Sequence, residues 1–238
     1  TIVVALTSSA PQVLAELGRA AASLAAASHL VVVAPSDAIA AVVDPTGEQV
    51  TMWTSTQVPH ILRFLIAATT GMPESKIRVI APDVGGGFGG KLQTTPEEFI
   101  TLAVARKLGK PAKYTETRSE SLLSAHHGRD QYQTLTLAAT KDGTVTGLKV
   151  DLLANLGAYV AIVGGGVPVL GAWMFHAIYK FPAYQFNCQT VLTNTTWVDA
   201  YRGAGRPEAT FAIERLMDEL AAEVGVDPLE IREKNWIK

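Results

Sequence analysis

The sequence predicts an α+β fold in which a mixed sheet combines hairpins with packed helices. Two alternating segments, at 132–140 and 144–153, flank Lys-Asp-Gly at 141–143, an arrangement typical of a β-hairpin. Nearer the N-terminus, helical spacing at 59–70 separates two short apolar segments, which is typical of a strand–helix–strand crossover. Hairpins and crossovers together require both antiparallel and parallel strand pairs.

The N-terminal part, residues 1–45, is predicted to be a divergent segment of βαβ type. Apolar runs at 1–6 and 29–33 predict strands. Ser8 or Ser9 can cap the alanine-rich helix that is expected between them.

The helices in the middle of the chain carry clear start and stop signals. The helical spacing at 59–70 ends at Gly71, a residue that adopts the left-handed conformation at a helix C-terminus without strain. Thr95 and Pro96 supply the cap and the first helical residue of a second helix. That helix is expected to end near residue 108, before a glycine.

A further amphipathic helix is predicted at 208–224, with Phe211 among its apolar positions. Its period separates an apolar face from a charged face, so it is expected to pack on a sheet. The strands expected in this larger part of the chain lie at 49–55, 76–81, 113–116, 132–140, 144–153 and 185–192.

The composition favours a domain whose surface is covered by other parts of a larger protein. Hydrophobic residues make up 48% and charged residues 18% of the 238 residues, and the mean hydropathy is +0.20. The formal net charge is −2 without a basic block, so nucleic acid is not an expected partner. Cys188 is the single cysteine, which fits a reducing, cytoplasmic environment.

One uncharged stretch, at 152–179, raises the question of a membrane span, which needs roughly 20 apolar residues. Gly164, Gly165 and Gly166, with Pro168 close behind, would interrupt such a helix at its centre. A strand followed by a loop is therefore expected here, and no membrane partner.

The strongest local signal is a loop with five glycines in six positions, at 85–90. Glycines allow a positive φ and let backbone amides approach a ligand closely. Gly85, Gly87 and Gly90 also satisfy the dinucleotide-binding pattern, with Glu116 as the acid that would bind the ribose. The helix should then begin at the last glycine, whereas its cap signal comes at Thr95.

A P-loop is excluded at the same place. The spacing from Gly85 to Lys91 is that of a P-loop, but Leu92 stands where a hydroxyl must coordinate magnesium. A nicotinamide-dinucleotide-binding oxidoreductase thus remains an alternative, and a magnesium nucleotide site does not.

Four segments carry a further signal when they are considered together, in their order along the chain. They are 53–57 (WTSTQ), 84–91 (VGGGFGGK), 200–207 (AYRGAGRP) and the helix and loop at 214–235. Together they resemble the molybdopterin-binding large subunit of the xanthine dehydrogenase/aldehyde oxidase family. The resemblance covers 49–238 and identifies 46–238 as the first part of the molybdenum-cofactor-binding domain.

The resemblance implies roles for individual residues. Gln57 would lie beside the molybdenum and donate a hydrogen bond to one of its oxygens. Arg202 would face the metal site, where its fixed charge stabilises developing negative charge. These two are the expected catalytic residues, and no residue of the chain is expected to ligate a metal directly. The expected cofactor-binding residues are Gln57, Gly87, Phe88, Gly89, Arg202 and Gly203.

The resemblance also implies the chemistry and the partners. The cofactor would be molybdenum–molybdopterin, in its plain or cytosine dinucleotide form. It would oxidatively hydroxylate a small-molecule aldehyde or N-heteroaromatic substrate with oxygen from water. Electrons would pass to iron–sulfur and FAD centres on partner subunits or domains, namely an iron–sulfur small subunit and an FAD medium subunit.

Three positions depart from named members of the family. Carbon monoxide dehydrogenases have a copper-ligating cysteine at the position of Gly203, so a copper site is not expected here. The loop resembles instead that of the glycine-loop relatives often named carbon monoxide dehydrogenase large subunit-like. Leu92 and Ala204 replace the glutamate and the aromatic residue of xanthine-specific members, which disfavours a purine substrate.

The family's subunit is several times longer and carries a general-base glutamate that has no counterpart here. The chain is therefore expected to be one part of a large subunit, with the rest of that subunit as a partner, and to be inactive alone. A second alternative function is that of a non-catalytic assembly module in a multi-subunit complex. Such a module would use its apolar surface to hold partner chains.

Overall fold

The computed structural model describes residues 38–44, 46–176 and 178–238, in two compact units. Of these described residues, the first unit comprises those from 38 to 87 and 91–125, and the second comprises those at 88–90 and from 126 to 238. The strands and helix predicted at 1–33 lie outside the described residues. These elements and the predicted domain boundary at residue 45 stay predictions.

The first unit contains a four-stranded sheet in the order β3-β2-β1-β4. β1 is antiparallel to both β2 and β4, whereas β2 is parallel to β3. Its elements are β1 (Ala38–Val43), β2 (Val50–Trp53), α1 (Pro59–Thr70), a 3₁₀ turn (Glu74–Lys76), β3 (Ile77–Ile80), α2 (Pro96–Leu108), β4 (Ala112–Thr115) and α3 (Arg118–Ser124).

A buried apolar cluster between helices α1 and α2 and the sheet holds this unit together. Leu62 and Ile66 of α1 and Leu102 of α2 pack with Met52 of β2, and all four are almost fully buried. Helix α1 ends as predicted at Gly71, whose φ is +71° and whose N–H donates to Ala67 O at 2.9 Å. Helix α1 is therefore stabilised by the burial of one face, and its C-terminal end is set by the local signal at Gly71.

The sheet order bears on the dinucleotide alternative. In a dinucleotide-binding fold, the strands before and after the glycine-loop helix are parallel neighbours. Here the corresponding strands β3 and β4 lie at opposite edges of the sheet, and α2 begins at Pro96, beyond the last glycine of the loop. Glu116 accepts a hydrogen bond from Ser124 Oγ at 2.9 Å. The topology thus disfavours that alternative.

The second unit contains a three-stranded sheet in the order β5-β6-β7. The predicted hairpin joins β5 and β6 as antiparallel neighbours, and β6 pairs with β7 in parallel. Both sheets are therefore mixed, and the α+β prediction is confirmed. The elements are β5 (Gln131–Ala139), β6 (Val145–Asn155), α4 (Gly166–Ala172), β7 (Ala183–Val191), α5 (Arg206–Val224) and α6 (Pro228–Asn235).

Helix α5 packs on this sheet with a face that differs from the predicted one at one residue. Ala209, Ile213, Met217 and Ala221 are buried, and they follow one another at intervals of four. Phe211 lies two positions from both Ala209 and Ile213, so it falls on the opposite face and is 72% exposed. The apolar position predicted there does not belong to the core.

The uncharged stretch at 152–179 continues β6 to Asn155, then forms a loop and the short helix α4, which was not predicted. The three glycines precede and begin this helix. Across the part of the chain that the structure describes, no helix is both long and apolar enough to cross a membrane.

The hairpin turn is tied to helix α6 by one buried side chain. Asn235 Oδ1 accepts from Val145 N at 2.8 Å, and its Nδ2 donates to Gly143 O at 3.0 Å and Ile231 O at 2.8 Å. Gly143 has a φ of +82°, and a Cβ there would lie 2.4 Å from Ile231 Cδ1. The turn therefore needs glycine for its backbone conformation and for the approach of α6.

We expect Asn235→Ala to lower the free energy of unfolding by about 2 to 4 kcal/mol, because it leaves the buried Val145 N–H and Gly143 carbonyl without this partner. Urea unfolding followed by circular dichroism measures the change. Asn187→Ala is the matched control, since the Asn187 amide bonds Asp151 at the exposed surface. Equal losses in the two variants would contradict the assignment.

Candidate functional site

In the first unit, Gln57 is fixed by an exchange of hydrogen bonds with Lys91. Gln57 N donates to Lys91 O at 2.8 Å, and Lys91 N donates to Gln57 Oε1 at 3.2 Å. The amide oxygen is thus directed at the backbone of Lys91, so the NH₂ group forms the other end of the amide. Gln57 is exposed. An amide held in this way can present N–H donors to a ligand.

Lys91 also braces the start of the glycine loop. Its Nζ donates to Val84 O at 2.6 Å and to Ser55 Oγ at 2.7 Å. The cation therefore joins the residue before the first glycine to the segment that follows β2. This role was not predicted, because no local pattern connects a lysine at the end of a loop with its beginning.

Gly87 makes room for Gln57. A Cβ at Gly87 would lie 2.3 Å from Gln57 Oε1 and 2.4 Å from its Cδ, so any side chain would displace the amide. Gly85 and Gly86 have φ values of +71° and +102°. The predicted positive φ is found at these two glycines, whereas the predicted approach of backbone amides to a ligand stays a prediction.

A buried carboxylate anchors the segment that leads to Gln57. Glu98 Oε1 accepts from Thr54 Oγ1 at 2.7 Å, and its Oε2 accepts from Thr95 N at 3.0 Å. Burial raises the pKa of Glu98, and the hydrogen bonds from Thr54 and Thr95 counteract part of that rise. The carboxylate thereby ties the start of α2 to the residue after β2.

In the second unit, the remaining loop residues contact the segment at 200–205. Arg202 N donates to Phe88 O at 2.8 Å, and the guanidinium carbon lies 5.0 Å from the centre of the Phe88 ring. A Cβ at Gly89, whose φ is +92°, would lie 2.1 Å from Ala200 O. Phe88, with a φ of +52°, is 57% exposed. The structure therefore brings Phe88, Gly89 and Arg202 together.

The 200–205 segment is a tight loop with three successive positive φ values. These belong to Gly203 (+109°), Ala204 (+46°) and Gly205 (+90°). A Cβ at Gly203 would lie 2.4 Å from Pro207 Cγ, so the loop has no room for a side chain at this position. Arg206 Nη1 donates to Gly203 O at 3.1 Å, which supports the loop from its C-terminal side.

A third segment, at 126–130, supports the same loop and was not predicted to do so. His126 Nε2 lies 3.0 Å from Ala200 O, and Arg129 donates to Tyr201 O at 3.3 Å and Arg202 O at 3.1 Å. No periodicity or spacing in the sequence points to this function. The contacts join residues that are 72 to 74 positions apart in the sequence, so only the folded structure reveals them.

A sequence model of the molybdopterin cofactor-binding domain matches residues 24–236. The chain belongs to this family. It is 34% identical over 198 residues to the nicotine 6-hydroxylase large subunit of Paenarthrobacter nicotinovorans, which covers 81% of this chain and 24% of that protein. It is 36% identical over 200 residues to the carbon monoxide dehydrogenase large chain of Hydrogenophaga pseudoflava, covering 82% and 25%.

Among solved structures, quinoline 2-oxidoreductase from Pseudomonas putida 86 superposes with a TM-score of 0.77 at 34% identity. The match covers 84% of this chain and 26% of that one. The chain thus spans about a quarter of the length of the relatives it matches. The predicted family is confirmed.

The residues described above fit the cofactor of this family. Gln57 supplies an amide and Arg202 an exposed guanidinium, and both suit anionic or oxygen-rich groups. At Gly87 and Gly89 the chain leaves no room for a Cβ. Each unit thus offers closely approached backbone and one polar side chain, which are the kinds of group that a polar cofactor such as molybdopterin needs for binding.

We expect Glu98→Gln to change the pH dependence of stability. A carboxyl whose pKa is raised on folding contributes stability that is present below its ordinary value of 4.5 and is lost as the pH rises through the raised value. Glutamine does not titrate. The variant should therefore gain free energy of unfolding relative to wild type as the pH rises from 4.5 through the raised pKa of Glu98.

Urea unfolding at several pH values measures this difference, and Glu233→Gln, at an exposed position of α6, controls for the removal of one negative charge. A difference between wild type and Glu98→Gln that stays constant with pH would contradict the raised pKa.

Alanine at two glycines should separate backbone strain from close approach. Gly85 has a positive φ but open space around a Cβ, so Gly85→Ala should cost about 1 to 2 kcal/mol of stability. Gly89→Ala adds a clash with the Ala200 carbonyl and should cost clearly more. Urea unfolding of the two variants tests this order, and equal costs would show that the approach at Gly89 does not constrain the loop.

Proposed function

We propose that this chain is the part of a molybdenum hydroxylase large subunit that binds the molybdopterin cofactor. The observation that carries the proposal is the contact between two of the segments that resemble the family. Phe88 and Gly89 of the glycine loop meet Ala200 and Arg202 through a backbone hydrogen bond, a cation–π contact and a close backbone approach.

Each expected site residue has a role in the proposal. Gln57 donates an N–H to an acceptor of the cofactor, with its amide oriented by Lys91. Arg202 provides a fixed positive charge that stabilises negative charge as it develops on the reacting groups. Gly87, Phe88, Gly89 and Gly203 contribute backbone contacts. The bound cofactor supplies the two-electron oxidation, and the chain supplies orientation and electrostatics.

The proposed substrate is a small N-heteroaromatic compound, with an aldehyde as the second candidate. Two relatives carry the names of N-heteroaromatic substrates, nicotine and quinoline. Leu92 has no proton to share with a purine, and Ala204 offers no aromatic face. Gly203 has no ligand atom for copper. The hydroxyl oxygen comes from water in this proposal.

The proposed partners follow from the length of the relatives, of which this chain spans about a quarter. They are the rest of the large subunit, an iron–sulfur small subunit and an FAD medium subunit, which carry the electrons away. The cofactor is either plain molybdopterin or its cytosine dinucleotide, and the complex is cytoplasmic. The chain alone is inactive in this proposal.

Elemental analysis of the natively purified complex should find near-stoichiometric molybdenum and no copper. In that complex, Gln57→Ala should lower the rate of substrate oxidation about 10- to 100-fold, since it removes a group that orients the metal site. Arg202→Ala should lower it about 10²- to 10³-fold by removing charge stabilisation. Arg215→Ala is the control, because Arg215 makes exposed ion pairs with Asp218 and Glu219 on α5.

Absence of molybdenum from a complex that retains all its chains would contradict the proposal. Unchanged recovery of the complex with both site variants would then favour the assembly module. Binding of a nicotinamide dinucleotide that is weakened by Gly87→Ala would favour the dinucleotide alternative.

A further inference from the structure

Arg129 contacts the backbone of the loop at 200–205 at two consecutive carbonyl groups. Its Nη1 donates to Tyr201 O at 3.3 Å and its Nη2 to Arg202 O at 3.1 Å. The guanidinium carbon also lies 4.9 Å from the centre of the Tyr201 ring. A planar fork of donors can bind two adjacent acceptors in one orientation, which a lysine ammonium does not do.

These contacts complete the fixation of Arg202. Its N–H donates to Phe88 O at 2.8 Å, and its carbonyl accepts from Arg129. Both polar groups of its backbone are therefore held, so the position from which the side chain extends is set before any ligand binds.

The chain just before Arg129 lies along the loop at 200–205 and along the residues that precede it. His127 O accepts from Asp199 N at 2.9 Å, and His127 N donates to Trp197 O at 3.0 Å. A Cβ at Gly128 would lie 2.7 Å from Tyr201 Cβ. The backbone at 127–128 thus lies close to the residues at 197–201. Arg129 follows directly in the chain and is thereby placed beside the two carbonyl groups.

Arg129 occupies a strained backbone conformation. Its φ is +71° and that of Asp130 is +50°, values that residues other than glycine rarely adopt in succession. Asn155 holds this pair, because its N–H donates to Asp130 O at 3.1 Å and its Nδ2 to Asp130 Oδ2 at 2.7 Å. The fold maintains an unfavourable conformation at the residue that binds the loop.

From this geometry we infer that Arg129 is a positioning residue for Arg202. Its guanidinium fixes the Tyr201 and Arg202 carbonyls and so determines how the Arg202 side chain reaches the cofactor. The inference rests on the proposed function for its consequence in catalysis, whereas the fixation of the loop follows from the contacts of Arg129 alone.

The test compares Arg129→Ala, Arg129→Lys and the control Arg215→Ala in the natively purified complex. In Arg129→Ala, hydrogen exchange of peptides covering 199–205 should accelerate, while kcat falls about 10- to 100-fold and KM changes less. The molybdenum(V) electron paramagnetic resonance signal should change shape at unchanged molybdenum content. Guanidinium at low, non-denaturing concentration should restore part of kcat in Arg129→Ala and none in Arg215→Ala.

Arg129→Lys should remain impaired, because an ammonium group satisfies one carbonyl at a time. If Arg129→Ala does not accumulate, the lysine variant decides, with the same direction of change. Exchange and kcat like those of Arg215→Ala would overturn the inference, whatever the metal content. A parent complex without molybdenum would instead overturn the proposed function, and the exchange of 199–205 would still decide whether Arg129 fixes the loop.

Discussion

The architecture of the second unit's site depends on how closely two backbone segments approach each other at Gly89 and Ala200. A side chain at Gly89 would collide with the Ala200 carbonyl at 2.1 Å, so the contact exists only while that position lacks a Cβ. The Arg202–Phe88 hydrogen bond and the placement of the guanidinium over the Phe88 ring follow from it. Glycine is therefore required at position 89 both by the nearby backbone of Ala200 and by the positive φ.

Features encoded over a few residues could be predicted from the sequence. Gly71 ends α1 and Thr95 with Pro96 opens α2, because these signals act within one helical turn. The hairpin at 141–143 is equally local. Helix α3 also carries a local signal, since Thr117 and Glu120 form a capping box, although no helix is predicted there from the sequence.

Features created by distant contacts could not be predicted. Helix α4 begins with glycine and contains Pro168, which is a poor sequence for a helix. It packs close to the loop at 200–205, where a Cβ at Gly171 would lie 3.1 Å from Gly205 O. The parallel pairing of β6 with β7 is a register between segments separated by a loop and a helix. Within the candidate site, Gln57 and Arg202 were predicted from resemblance, whereas Lys91 and Arg129 act through contacts that no short pattern records.

The backbone conformation of the loop at 203 limits which residue can stand at this position. The sequence resemblance implies that carbon monoxide dehydrogenases carry a cysteine at the position of Gly203. In the present loop Gly203 has a φ of +109° and no space beside Pro207. A cysteine introduced here would first require a different path for the chain between Arg202 and Pro207. The backbone of this loop thus leaves no room for a side chain at position 203, and the Arg202 carbonyl that Arg129 holds lies at the start of that path.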